Sequence, residues 1–262
     1  IRDRVVQTAV LLVLEPIFEC DLPAEQYAYR PERSALDAVQ EVHRLACYGY
    51  RDVVDADLSG YFDSIPHAEL MQCLARRVSD KALLTLVKSW LVAAVEETDD
   101  RGYVQRTTRN KDEGRGTPQG APISPLLSNL YMRRFVLGWK KLGHEREFQA
   151  RIVNYADDFV ILCRGSAAQA MEAMRSMMTR LKLTVNETKT RLCKLPEETF
   201  DFLGFTHVSG KDRNGNFAVK RHTIGKRLRG KLSEVKQQLR QRMHEPVAET
   251  GKWLKSVVQG YF

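Results

Sequence analysis

The stretch Arg151-Ile-Val-Asn-Tyr-Ala-Asp-Asp-Phe-Val-Ile-Leu-Cys163 constrains this chain more than any other. Two short apolar runs flank an Ala-Asp-Asp tip, the pattern of a tight hairpin whose strands are buried and whose turn presents acids. An Asp-Asp pair alone is a turn signal more often than a metal site. Here the pair lies between runs that need burial, where an uncompensated carboxylate is costly and a bound cation is a reasonable compensation.

A third acid belongs with these two. Val53-Val54-Asp55-Ala56-Asp57-Leu58 reads as a strand with β-branched residues ahead of its acids. Asp57 at one strand end, with Asp157 and Asp158 at a hairpin tip, forms a carboxylate set suited to phosphoryl transfer. That reaction needs little covalent help from protein groups. It needs charge neutralised and an attacking oxygen aligned with its leaving group, which two Mg²⁺ ions about 3.5–4 Å apart accomplish. Magnesium prefers oxygen ligands and keeps some of its waters, so a few acids suffice.

Around these strands the pattern is mixed. Apolar spacing predicts helices over 3–19, from Ser34 to Cys47, Pro66 to Val78, Asp80 to Val95, Pro125 to Leu142 and over 166–182. The methionines of 166–182 read as core filler. Glu97 to Arg109, turning at Asp99-Asp100-Arg101-Gly102, reads as a polar hairpin, and Gly114 to Gly120 as a loop. Phe200 to Val208 and Asn216 to Arg221 suggest a closing sheet. A last helix over 223–243 sets Ile224, Leu228, Leu232, Val235, Leu239 and Met243 on one face. Lys226, Arg229, Lys236 and Arg240 lie on the other. Strands and helices without regular βαβ alternation favour an α+β architecture.

Composition removes several classes of function. No apolar run approaches the roughly 18 residues that cross a bilayer. Five scattered cysteines, without metal-ligand spacing, read as reduced thiols in a cytoplasmic setting. The net charge of +8 is concentrated: residues 211–262 hold 13 Lys/Arg against 4 Asp/Glu, and the rest of the chain is near neutral. That asymmetry suggests a nucleic-acid-facing segment, although a solvated basic helix gives the same count. The chain starts Ile1-Arg2-Asp3 and reads as cut from something longer.

Six blocks, in order, resemble those of group II intron-encoded reverse transcriptases. They are Gln26-Tyr-Ala-Tyr-Arg-Pro-Glu-Arg-Ser-Ala35, Asp55 to His67, Gly116 to Asn129, Tyr155-Ala-Asp-Asp158, Asn186-Glu-Thr-Lys-Thr190 and Phe202-Leu-Gly-Phe205. Each is weak alone, and the ordered set is specific. The resemblance implies a right-hand polymerase: fingers and palm over 1–220 with an antiparallel palm sheet, and the start of a helical thumb/maturase region over 221–262. It implies an RNA-directed DNA polymerase with two Mg²⁺, taking an RNA template, a DNA primer in an RNA–DNA hybrid and dNTPs. Binding of group II intron RNA, a bacterial cytoplasmic setting and a homodimer are compatible with it.

Roles follow by matching position. Asp57, the Leu58 backbone, Asp157 and Asp158 match the metal-binding and catalytic positions, with Asp158 beside the primer terminus. Phe62 matches the aromatic steric gate against a 2′-hydroxyl, with a core aromatic as the competing reading. Gln119 matches the glutamine that contacts the incoming nucleotide. Arg30 and Arg33 match basic fingers positions suited to triphosphate oxygens, with a structural ion pair as the alternative for one of them. Lys189 matches a lysine near the phosphates. Phe202, Leu203 and Gly204 match the primer grip. Lys226, Arg229, Lys236 and Arg240 would track duplex phosphates while the apolar face of their helix packs inward. Asp55 and Asp63 read as structural or surface acids.

The sequence departs from the family pattern in Ala28 and Tyr29, where Gly and Phe are usual. Earlier fingers blocks and a Cys/His-rich endonuclease module are not visible. The Pro-Gln-Gly-Ala-Pro form also occurs in retron and CRISPR-associated relatives, so a defence polymerase is one alternative. An RNA-binding splicing cofactor with vestigial polymerisation is another. A nuclease would leave the Pro-Gln-Gly block and Phe62 without a use.

Overall fold

The computed structural model describes residues 2–98 and 103–261. Helices α1 (Arg2–Glu19) and α2 (Ala35–Cys47) precede β1 (Asp52–Ala56), and α3 (Tyr61–Ser64), α4 (His67–Ala75) and α5 (Lys81–Leu91) follow it. Next come β2 (Val95–Thr98), β3 (Val104–Thr107), α6 (Arg109–Glu113), α7 (Ser124–Lys141) and α8 (His144–Glu147). The chain continues through β4 (Ala150–Tyr155), β5 (Asp158–Cys163), α9 (Ala167–Arg180) and β6 (Arg191–Lys194). It ends with β7 (Phe200–Phe202), β8 (Phe205–Lys211), β9 (Phe217–Thr223), α10 (Gly225–Gln241) and α11 (Val247–Tyr261).

Local chemistry explains several starts. Ser34 and Asp37 form a reciprocal capping box at α2. The Asp80 carboxylate accepts from the Ala82 and Leu83 N–H groups at the head of α5. The hairpin expected over Glu97 to Arg109 is an antiparallel pair of β2 and β3 over 95–107, and its expected Asp99–Gly102 turn lies outside the described residues.

The central sheet has the order β4-β5-β1-β6, antiparallel throughout. Strand side chains alternate between its faces, so the sheet divides the core in two. Val54, Ala56, Phe159 and Ile161 pack with α1, α4, α5, α7 and α9, including the four α9 methionines Met171, Met174, Met177 and Met178. Val53, Val160 and Leu162 face the opposite way, onto α2 and the separate β7-β8-β9 sheet. Both faces are covered, which is why β5 reads as an unbroken apolar run.

One expectation fails. The apolar face of α10 does not pack inward: no α10 residue is buried, Leu232 is 59% exposed, and Met243 just beyond is 70% exposed. The helix is anchored near its first turn, where the Ile224 N–H reaches the Gly204 carbonyl. Among the described residues no helix is long and apolar enough to cross a membrane. All five cysteines are free.

Candidate active site

The β4–β5 hairpin closes through Ala156 and Asp157, with Tyr155 opposite Asp158. Ala156 takes the positive φ (56°) that tight hairpin turns require at their first central position. Its carbonyl is held by the Asn154 side-chain amide at 2.8 Å. On the neighbouring strand Ala56 pairs with Phe159, so the register carried one step further sets Asp57 opposite Asp158. Alternation then puts Asp55, Asp57 and Asp158 on one face of the sheet.

The electrostatics agree with that placement. Desolvation first, then the charges of Asp157, Asp57 and Asp55, push the Asp158 carboxyl up to about 6, against a smaller opposing effect of Lys189. Burial is also the chief cause raising Asp55, which Arg191 pairs at 3.3 Å. This surface therefore carries more negative charge than it neutralises, an arrangement a divalent cation relieves. The donors are oxygens, as Mg²⁺ prefers. Among the described residues no three acids, histidines or cysteines close into a ready cage. An ion held here would complete its shell from water and phosphate. Leu58 is 4% exposed, so only its main-chain carbonyl is a potential ligand.

Asp57 is fixed by a loop that sequence reading had treated only as a block. Its carboxylate accepts from Asn186 Nδ2 at 2.9 Å, and the Lys189 ammonium sits 3.2 Å away. The Asn186 N–H donates to the Asp57 carbonyl, and the Ser59 N–H to the Thr184 carbonyl. Lys189 thus faces Asp57, and Asn186 carries no signal in the sequence because an asparagine in a polar loop is indistinguishable from a turn residue.

Phe62 is half-buried, edge-on to Tyr61 (centroids 5.7 Å) and to Tyr29 (6.4 Å). Tyr61 beneath it is fully buried, its hydroxyl donating to the Ser128 carbonyl at 2.6 Å. The Pro-Gln-Gly loop is tied to the same segment. The Thr117 N–H reaches the Phe62 carbonyl and the Gly116 N–H the Ile65 carbonyl, each at 2.8 Å. Gln119 donates to the carboxylate of Asp63, an exposed surface acid, at 3.3 Å.

Tyr29 is the residue the sequence underweighted. It is half-exposed with φ 54°, an unusual backbone for tyrosine, and stands beside Phe62. Partial burial first, then the charge of Asp157, raises its phenol. Its segment is stitched down by buried amides. Asn129 donates to the Ala28 carbonyl at 2.7 Å, Gln26 to the Asn129 carbonyl, and the Tyr27 N–H to the Asn154 carbonyl.

Two expected substrate contacts sit elsewhere. Arg30, with a side chain 6% exposed, forks onto Glu19 and donates to the Pro23 and Gln26 carbonyls. Four of its five N–H donors are spent, so it braces the fingers segment and has no free fork for a triphosphate. Arg33 donates to the Ala24 carbonyl and lies over the Tyr27 ring, in a groove with Asp37, Glu41 and Arg44. Nothing it touches belongs to the acid set.

Phe202, Leu203 and Gly204 form the β7–β8 turn, with positive φ at Leu203 (48°) and Gly204 (91°). Phe202 is buried, and a Cβ at Gly204 would meet the Arg227 guanidinium at 2.5 Å, so the turn supports the start of α10. Lys226, Arg229, Lys236 and Arg240 are all exposed, and among the described residues none has a carboxylate within ion-pair distance.

A family profile described as reverse transcriptase (RNA-dependent DNA polymerase) matches residues 1–207. The chain belongs to the reverse transcriptase family. The chain is 32% identical to Protein YkfC of Escherichia coli (strain K12), a match covering 84% of this reverse transcriptase chain and 64% of YkfC. It is 33% identical to the group II intron-encoded protein LtrA of Lactococcus lactis subsp. cremoris, over 57% of this chain and 24% of LtrA. The chain therefore spans less than two thirds of the length of these relatives. Among solved structures, apo telomerase from Candida tropicalis truncated from its C-terminal domain superposes with a TM-score of 0.58 at 13% identity, covering 84% of this chain and 45% of that one. That likeness concerns the fold alone, an α+β fingers–palm polymerase.

Proposed function

We propose that this reverse transcriptase family member is an RNA-directed DNA polymerase of the group II intron type that also binds intron RNA. Residues 1–220 are read as fingers and palm, and 221–262 as the start of the thumb. The observation that carries the reading is the meeting of three acids from two strands beside an aromatic pair, Phe62 and Tyr29, and the tethered Gln119. The similarity to an intron-encoded protein supports the lineage over a defence polymerase, and the intact acids speak against a purely RNA-binding cofactor.

Asp57 and Asp157 would hold two Mg²⁺ ions with the Leu58 carbonyl, and Asp158 would lie at the primer terminus. The ions supply charge neutralisation and in-line alignment. Asn186 orients the Asp57 carboxylate, and Lys189 places a positive charge where phosphate oxygens arrive. Phe62 bounds the sugar, so a 2′-hydroxyl meets its ring. Gln119 is held by Asp63 at the mouth of the site.

The test is primer extension on poly-rA with an oligo-dT primer, dTTP or rUTP, and Mg²⁺. Extension with dTTP, lost in Asp157→Asn, supports the assignment. Phe62→Ala is expected to raise rUTP use relative to dTTP. A folded protein that binds the hybrid and never extends it would sink the polymerase reading in favour of the splicing-cofactor one.

A further inference from the structure

On the helical side of the palm, α1, α4 and α7 enclose a cavity of about 260 Å³ that shares no lining residue with the acid set. Its wall carries four guanidiniums, Arg76, Arg77, Arg133 and Arg134, against one carboxylate, Asp21. Phe18 and Leu130, both buried, form an apolar floor.

The partners of these arginines leave most of their donors free. Arg77 forks onto the Asp21 carboxylate and so takes up the only acid of the cavity wall. Arg133 gives its Nε–H to the Asp21 carbonyl at 2.6 Å, and its charge adds to that of Arg77 in lowering the Asp21 carboxyl; among the described residues it has no carboxylate within ion-pair distance. Arg134 lies over the Tyr131 ring, 5.3 Å from its centroid, and reaches the Tyr131 hydroxyl at 3.4 Å. Arg76 is exposed, with no ion pair or side-chain hydrogen bond in the described structure.

A helix end explains part of this. Arg76 and Arg77 follow the C-terminus of α4, where positive charge complements the dipole. Arg133 and Arg134 lie in the middle of α7, where no helix end offsets them. Packing like charges over an apolar floor is unfavourable unless a counter-charge arrives, and the low dielectric of that floor strengthens the attraction when it does. Planar guanidinium forks match phosphate oxygens.

We propose that this cavity is a phosphate-binding site that seats a backbone phosphodiester of RNA, giving the protein a second RNA contact on the side of the palm away from primer and nucleotide. The RNA assignment rests on the polymerase and intron-RNA reading above. The net charge of the cavity, three guanidiniums beyond the Asp21 pair, supplies a sequence-independent and salt-sensitive contact.

The test uses the full chain with Arg76→Gln and Arg134→Gln combined, leaving the Arg77–Asp21 and Arg133–Asp21 contacts in place. Binding of a structured RNA is titrated against KCl, and primer extension on a short poly-rA/oligo-dT duplex is measured alongside. The expected result is RNA affinity weakened about tenfold at 0.1 M salt and a salt slope reduced by about one. KM for dTTP and the extension rate stay unchanged, and Arg76→Lys with Arg134→Lys restores most of the affinity. A folded double variant with unaltered affinity and slope overturns the proposal. Thermal stabilisation by inorganic phosphate that the variant loses, with RNA binding intact, assigns the cavity to a free phosphate compound and also overturns the RNA assignment. Loss of RNA affinity in a protein that never extends primers leaves the site standing and removes the polymerase reading instead.

Discussion

Gly116 and Tyr29 show how single backbone conformations set up the site. Gly116 has φ +95°, and a Cβ there would lie 3.2 Å from the Asp63 carbonyl, in the strand of hydrogen bonds that ties the Pro-Gln-Gly loop to Phe62. Gly116→Ala is therefore expected to cost about 1–3 kcal/mol, lowering Tm by several degrees in a thermal melt. It should also raise KM for dTTP through Gln119. Tyr29 contributes a ring beside Phe62 and no core packing. Tyr29→Ala should remove about 1 kcal/mol of ring contact, lowering Tm by about 2–4 °C, and the loosened Phe62 ring should raise KM for dTTP by steady-state extension. A Tm drop without a KM change would give Tyr29 a merely structural role. At this scale the acids were legible because three carboxylates among apolar strands are costly. Asn186 was not, because its role comes from a partner 129 positions away in the chain.

Among the elements, the docking of the β7-β8-β9 sheet onto α2 carries a buried histidine. His207 on β8 is fully buried and stacked on Phe200 with centroids 4.7 Å apart. Among the described residues neither ring nitrogen has a well-formed hydrogen bond, although the Val39 backbone lies close enough to act on the ring. Burial first, then the charges of His43 and Arg221, lowers it to about 4, while the Val39 backbone and Asp201 act the other way. The folded state thus prefers neutral imidazole, whereas the unfolded chain binds a proton near 6.5. Stability is full above pH 6.5 and is lost as pH falls toward about 4, by on the order of 3 kcal/mol. Urea melts between pH 4 and 7 should show this slope, and His207→Phe, which keeps the stack, should flatten it. An unchanged slope in that variant would assign the pH dependence to other groups. Element identity was largely readable from periodicity and caps: α1, α2, α7, α9 and the β4–β5 hairpin all lie where the pattern put them. The strand β6 (Arg191–Lys194) was missed, since four residues with three of them exposed carry no apolar signal.

Over the whole molecule, the excess of Lys and Arg is concentrated in residues 211–262, whereas the acid set stands at the central sheet with Lys189 and Arg191 as near cations. Replacing Lys226, Arg229, Lys236 and Arg240 with Gln should weaken binding of an RNA–DNA hybrid and reduce its salt slope by about 3.6 if each meets one phosphate. A KCl titration by fluorescence anisotropy checks this, and a slope lowered by less than one would remove α10 from the duplex path. The exposed apolar stripe of α10 is the opposite lesson: a 3.6-residue repeat specifies that a face is apolar and leaves open what covers it. Spacing and composition, being local properties, were enough to place the two strands that carry the acids, the acids along them and the segment where positive charge collects. Local pattern could not show that Arg30 braces Glu19, that Asn186 holds Asp57, that Tyr29 flanks Phe62 or that two arginines just after α4 and two on α7 line one cavity. Each of those depends on which distant segments meet, and that is set by burying both faces of one sheet at once.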